Sequence, residues 1–279
     1  MYDFDYYKPG SIDEAAALLS AASDRKLLAG GMSLIPNLKL RFARPSGLVD
    51  LAGLEKLRGI RRDGDALVIG AMTTHATVAA STEVRRAIPA LAVLAGGIGD
   101  PMVRNRGTLG GSIAHADPVA DYPAGVLGLA ATVQTNERMI AGDDFFTGLF
   151  ETALQPGEIV TAVRFPIPQE AGYVKLRHPA SRFAIVGVFV ARTAGGVRVA
   201  VTGAGSTVFR LRSAEAALTE RFEPGALAGL AVDSSGLNAD IHASAEYRAH
   251  CIGVLVRRAV LAARQGPARD RDASGRETP

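Results

Sequence analysis

The sequence has no tryptophan, a single cysteine (Cys251) and only 6% aromatic residues among 279. One cysteine excludes an internal disulfide, and it excludes a Cys-ligated iron–sulfur cluster or zinc ribbon carried by this chain alone. A reducing cytoplasm suits that usage. With few aromatics, Ala, Val and Leu must fill the core. No apolar run reaches the roughly 18 residues of a membrane span, and the polar, acidic start MYDFDYYKPG does not read as a signal peptide. There is no G-x-x-x-x-G-K-[ST] loop and no strand-following G-x-G-x-x-G, so neither a P-loop nor the usual dinucleotide fingerprint is present. A G-x-S-x-G elbow and an H-E-x-x-H pair are also missing. The five histidines, at 75, 115, 178, 242 and 250, have no metal-ligand spacing, so no metal site is expected.

Of the residues present, 48% are hydrophobic and 21% charged, which excludes a mainly disordered chain. The length points to two domains. Net charge is +3, from 26 Arg and 5 Lys against 28 acidic residues. The basic residues are spread out, apart from pairs such as Arg61-Arg62, Arg85-Arg86 and Arg257-Arg258. That distribution does not point to nucleic acid; an anionic cofactor or an acidic partner suits it.

Ser11 with Glu14 forms a capping box for a helix over 11–22, with Ile12, Ala15, Leu18 and Leu19 as its apolar stripe. A short strand over 26–29 runs into Gly30-Gly31, and a short helix follows over 33–40. A strand is expected over 66–71, then a helix over 74–95 interrupted at Pro89. A loop rich in Gly, Asn and Arg spans 96–111. Strands follow over 131–135 and 159–165. Pro166 and Pro168 mark the main domain boundary, since proline breaks helix and ladder alike. Beyond it, strands over 184–192 and 197–203 flank Ala194-Gly195-Gly196, a hairpin signal. Helices are expected over 213–222 and 244–263, and a disordered tail over 265–279.

Two glycine-rich stretches stand out as candidate sites. The first is Leu28-Ala29-Gly30-Gly31-Met32-Ser33-Leu34; the second is Gly107-Thr108-Leu109-Gly110-Gly111-Ser112. Each offers peptide N–H groups unobstructed by Cβ, next to hydroxyls, as close approach to phosphate oxygens requires. Together they could clamp a pyrophosphate from two sides; the plain alternative is a pair of tight turns. Downstream, Asp117 and Asp121 would share a face if helical, although Pro118 opposes a regular helix. Asp121 either accepts from sugar or ribityl hydroxyls or caps the next segment. His75, His115 and Cys251 read as structural residues, with His75 satisfied at the start of a helix.

The blocks AGGMSLIPNLKLR (29–41) and IGDPMVRNRGTLGGSIAHADPVADYP (98–123) resemble the FAD-binding medium subunit of molybdenum hydroxylases, a group that includes carbon monoxide dehydrogenase and xanthine dehydrogenase. The resemblance continues through GEIVTAVRFPIP (157–168), YVKLRHPASRFAIVGV (173–188) and ADIHASAEYRAH (239–250). It covers nearly the whole chain up to about Arg264. It implies an α+β fold: a two-subdomain FAD-binding region of the PCMH type over 1–168, divided at about 56/57, then an α/β C-terminal flavoprotein domain over 169–264. It further implies that residues 28–34, with Thr108, Gly110, Gly111 and Ser112, hold the FAD pyrophosphate. Asp121 would meet the flavin's polyol chain, Ile98 would lie near the cofactor, and Val160 and Lys175 would make further FAD contacts. Met32 and Ser112 depart from the polar or longer residues common at those positions. The backbone donors are unaffected.

The implied function is electron transfer. Substrate would be oxidised at a molybdopterin cofactor on a large subunit. Electrons would pass through two [2Fe–2S] clusters on a small subunit to FAD here, then to an external acceptor, in a heterohexamer with two copies of each subunit. No catalytic side chain is assigned. A self-contained flavin oxidoreductase and an assembly subunit that has lost FAD are the alternatives.

Overall fold

The computed structural model describes residues 1–265. Positions 266–279 of the expected tail lie outside the described residues, and Gln265 belongs to the last helix instead. The fold is α+β, with three sheets of three, five and four strands and one short hairpin among the described residues.

The first unit is a parallel sheet with helical crossovers, built from β1 (Asp5–Tyr7), α1 (Ile12–Ser20), β2 (Lys26–Leu28), α2 (Leu34–Lys39) and β3 (Gly47–Asp50). Its strand order is β1-β3-β2. Ser11 caps α1 by accepting the Glu14 N–H at 3.1 Å. The reciprocal half of the capping box lands one residue early: the Glu14 carboxylate accepts from the Gly10 N–H at 2.7 Å. Ala15, Val49 and Leu51 pack with Met72 and Ile159, so this core is shared with the next unit.

That second unit carries β4 (Ile60–Asp63), β5 (Ala66–Gly70), six helices and β6 (Thr132–Thr135) with β7 (Met139–Ala141). The helices are α3 (His75–Ala80), α4 (Thr82–Ala87), α5 (Pro89–Gly96), α6 (Pro101–Arg106), α7 (Leu109–His115) and α8 (Tyr122–Gly128). A turn of helix, α9 (Gly142–Phe145), leads to the hairpin β8 (Phe146–Gly148) and β9 (Glu151–Thr152), then to β10 (Val160–Pro166). The antiparallel order is β4-β5-β10-β6-β7. Two expectations are corrected here. The helix over 74–95 is broken twice, because Ser81 caps α4 through the Val84 N–H at 3.3 Å. The loop over 96–111 contains α6 and the start of α7. Asp100 caps α6 through the Val103 N–H at 2.9 Å, with Pro101 in the first turn. Pro166 closes the strand at the expected boundary. It is the last residue of β10, opposite Ala66, and the next N–H, of Ile167, donates to the Asp65 carbonyl at 2.8 Å. A strand end tolerates proline in a way that a strand centre does not.

After Pro168 the chain forms a second antiparallel sheet, β11 (Glu170–Arg177), β12 (Ala184–Thr193), β13 (Gly196–Thr202) and β14 (Phe209–Arg210), followed by α10 (Arg212–Glu220) and α11 (Ala245–Gln265). Helix and strand are mixed here as expected, and hairpins rather than helical crossovers join the strands. The hairpin closes with Thr193 opposite Gly196, which has φ of +104°. Period-two alternation along β12 sends Val186, Val188 and Val190 into a core with α11. Phe189 and Ala191 face the other way, into the core of the second unit. Phe189 lies so close to α8 that a Cβ on Gly128 would sit 2.6 Å from its ring. Arg198 adds a polar tie, donating to the Leu127 carbonyl at 2.6 Å and pairing with Asp143.

Glu158 anchors the turn that leads into β10. Its buried carboxylate accepts from Arg138 at 2.9 and 3.1 Å, from Thr135 Oγ1 at 2.8 Å and from the Gln155 N–H at 2.8 Å. Arg138 chiefly, with the two hydrogen bonds, holds its pKa down at about 2 against an ordinary 4.5. The unfolded chain therefore binds the proton first as pH falls, and the stabilisation is lost between about pH 4.5 and 2. Glu158→Gln is expected to lower stability by about 1–3 kcal/mol at neutral pH. In denaturant titrations the gap to wild type should close across that acid window; a gap independent of pH would contradict this role.

Candidate functional site

β2 ends where the Leu28 carbonyl accepts the Leu51 N–H at 3.0 Å. The chain then turns through Ala29, Gly30, Gly31, Met32 and Ser33 into α2. Gly31 has φ of +74°, a conformation open to glycine, and its carbonyl accepts from the Ile35 N–H at 3.0 Å. Among the described residues, the N–H groups of Gly30, Gly31, Met32, Ser33 and Leu34 have no protein acceptor. The Ser33 hydroxyl makes no capping bond. Met32 is exposed and adds no polar group. Five successive open donors on a surface-reaching turn are what an anion-binding concavity needs.

The second glycine motif differs from its sequence reading. It is the entry of α7, and most of its donors are already committed. Leu109 N–H donates to the Thr73 carbonyl at 3.1 Å and Gly110 N–H to the Ala71 carbonyl at 2.8 Å. Gly111 N–H is capped by Thr108 Oγ1 at 3.2 Å, and Ser112 N–H donates to the Thr108 carbonyl at 3.0 Å. Gly107 N–H donates to Val103 at 2.7 Å. The Thr108 N–H and the Ser112 hydroxyl remain without partners among the described residues. Its glycines serve close packing instead. A Cβ on Gly110 would meet Ala71 at 2.5 Å.

The two motifs touch backbone to backbone. A Cβ on Gly30 would lie 2.2 Å from the Arg106 carbonyl oxygen and 2.8 Å from Gly107 Cα. A Cβ on Gly111 would lie 3.4 Å from that of Ala29. The open donors of the first loop are thus backed by the second motif.

Asp121 stands at the start of α8 but does not cap it. Its buried carboxylate meets Lys175 Nζ at 2.8 and 3.0 Å and accepts a hydrogen bond from the Tyr173 hydroxyl. Burial pushes the Asp121 pKa up, and the Lys175 ammonium and the Tyr173 hydroxyl oppose it. Burial, then the Asp121 charge, raises Tyr173 well above its ordinary value. Tyr173 escaped the sequence reading. The signal was its spacing of two from Lys175 on one strand, which puts both on one face. A Cβ on Gly97 would lie 3.7 Å from Lys175 Cε, so the half-buried Ile98 turn reaches the same region. Val160 is not brought to either loop surface. It is buried in the core, opposite Thr135 at the β10 bulge.

Asp117 and Asp121 share no helical face, because residues 117–120 are non-helical and the Asp117 carboxylate accepts from the Val119 N–H at 3.0 Å. His115 lies 5.1 Å, ring to ring, from Phe150. Cys251 is buried in a core. His75 is structural but not satisfied: it packs against Gly107, and its buried Nδ1 has no partner among the described residues. Burial first, then the Arg104 charge, lowers its pKa to about 4, so the ring is neutral. Among the described residues no group of three His, Cys, Asp or Glu side chains could hold a metal ion, and no helix is long and apolar enough to cross a membrane.

Residues 2–168 match the family described as the FAD binding domain in molybdopterin dehydrogenase. The chain is 37% identical to the carbon monoxide dehydrogenase medium chain of Hydrogenophaga pseudoflava, over 93% of this chain and 96% of that one. It is 36% identical to the nicotine 6-hydroxylase medium subunit of Paenarthrobacter nicotinovorans, over 92% and 96%. Its fold superposes on a chain of reconstituted CO dehydrogenase from Oligotropha carboxidovorans with a TM-score of 0.87 at 34% identity, covering 95% of this chain and 99% of that chain. The chain belongs to this FAD-binding family of molybdopterin dehydrogenases.

Gly30→Ala should force the two motifs apart, since its methyl would enter the Arg106 carbonyl. The expected result is a stability loss of about 1–3 kcal/mol, measured by denaturant titration. Unchanged stability would contradict the backbone contact.

Proposed function

We propose that this medium-type FAD subunit is the electron-transfer component of a molybdenum hydroxylase. It would receive electrons from [2Fe–2S] clusters on a small partner subunit and deliver them to an external acceptor. Substrate would be oxidised on a large molybdopterin-binding subunit, in a cytoplasmic heterohexamer with two copies of each subunit. The observation that carries the reading is the row of five open N–H groups from Gly30 to Leu34, backed by a motif with no room for side chains. Peptide donors of this kind bind phosphate oxygens without a cationic side chain.

On this reading residues 28–34 hold the pyrophosphate. Thr108, Gly110, Gly111 and Ser112 form the wall behind it, with the Thr108 N–H and the Ser112 hydroxyl as supplementary donors. Asp121 and Lys175 face the polyol chain and Ile98 shields the ring side, whereas Val160, buried in the core opposite Thr135, takes no part in this reading. When bound, FAD supplies the conversion between single-electron arrival and two-electron discharge; the chain's part is to hold it and set its surroundings. Met32 does not weaken the cradle, because its contribution is the peptide N–H.

On this reading substrate selectivity resides on the large partner subunit. Relatives named for carbon monoxide and for nicotine are 37% and 36% identical to this chain over nearly the same span.

The purified chain titrated with FAD should develop a two-banded oxidised-flavin spectrum that bleaches on reduction, at one flavin per chain. Gly31→Val, which places a branched side chain at φ of +74°, should abolish that uptake. A wild-type chain that takes up no FAD even with its partner subunits present would overturn the reading.

A further inference from the structure

Arg104 lies in the segment between the candidate flavin residues and has no role assigned so far. α5 closes with the Gly97 N–H donating to the Val93 and Leu94 carbonyls at 3.0 Å each. Gly99 follows with φ of +48°, packed so closely on α6 that a Cβ there would lie 2.8 Å from Val103. The chain doubles back, and the Ile98 and Gly99 carbonyls turn to one point. Arg104 Nη1 donates to both at 3.0 Å. This guanidinium is half-buried, and among the described residues it forms no salt bridge with a carboxylate. Its Nη1 is committed to two carbonyls of one turn, as charge-assisted hydrogen bonds that hold that turn in place.

The two ends of that clamp lead to the two halves of the candidate site. On one side, α6 runs into Gly107, whose backbone abuts Gly30. On the other, the Gly97–Ile98 turn lies against Lys175, the partner of Asp121. We propose that Arg104 is a positioning residue that holds the Ile98 turn at a set distance from the glycine motifs, and so fixes where the ring end of the flavin lies relative to its pyrophosphate. This rests on the flavin reading above.

The test is FAD titration of the full chain as wild type, R104M and R104K, reading Kd, the visible bands and the flavin midpoint potential. R104M should bind about tenfold more weakly or worse, as the loss of two charge-assisted hydrogen bonds implies, with shifted bands and potential. R104K keeps the charge and a nitrogen able to donate twice, but its side chain is one atom shorter than the reach to Nη1 that spans to both carbonyls, so it should fall between the two. Wild-type Kd, bands and potential in R104M would overturn the proposal. So would an R104K indistinguishable from wild type, since a side chain one atom shorter would then serve and the distance that the clamp sets would not matter. Should R104M fail to fold, R104K decides: altered bands and potential support the clamp, and unaltered ones contradict it. A wild-type chain that binds no flavin would instead overturn the flavin reading itself.

Discussion

The close backbone contact between Gly30 and the Arg106–Gly107 peptide is the constraint from which the site follows. The approach is too close for any Cβ, so glycine is required by contact rather than by flexibility. It seats a loop of the first, parallel sheet against a helix entry of the second unit. The second motif is itself pinned, through Leu109 and Gly110, to the carbonyls of Thr73 and Ala71. A rigid wall thus stands behind a loop whose own donors are left open. Open peptide donors are tolerable because they reach solvent, and they are available to an anion for the same reason.

A second constraint ties the C-terminal sheet to this arrangement. Phe189 joins the apolar core of the second unit from one face of β12. From β11, Tyr173 and Lys175 converge on Asp121. A buried pair of this kind contributes little net stability but penalises any relative displacement, because separating the partners leaves a charge in a dry site. Asp121 and its partners Tyr173 and Lys175 are therefore contributed by two units that cannot shift independently.

Local signals were legible in the sequence wherever a few neighbouring residues decide the outcome. The Ser11 cap, the 193–196 hairpin and the strand–glycine–helix pattern of the first loop are of this kind. α7 was not legible, because Gly110 and Gly111 argue against helix while hydrogen bonds to Ala71 and Thr73 hold its first turn. For the same reason, the Leu109 and Gly110 donors looked free: their acceptors lie more than thirty residues earlier in the chain. Asp121 could be singled out as functional or capping, but its partners sit on a strand 52 and 54 residues downstream.

The division between an open loop and a committed wall is measured most directly by amide hydrogen exchange with and without FAD. Exchange at Gly30 through Leu34 should be fast in the free chain and slow strongly when FAD is added. Exchange at Leu109 through Gly111 should be slow in both states. Protection that appears on FAD binding at 109–111 and leaves 30–34 unchanged would contradict the account.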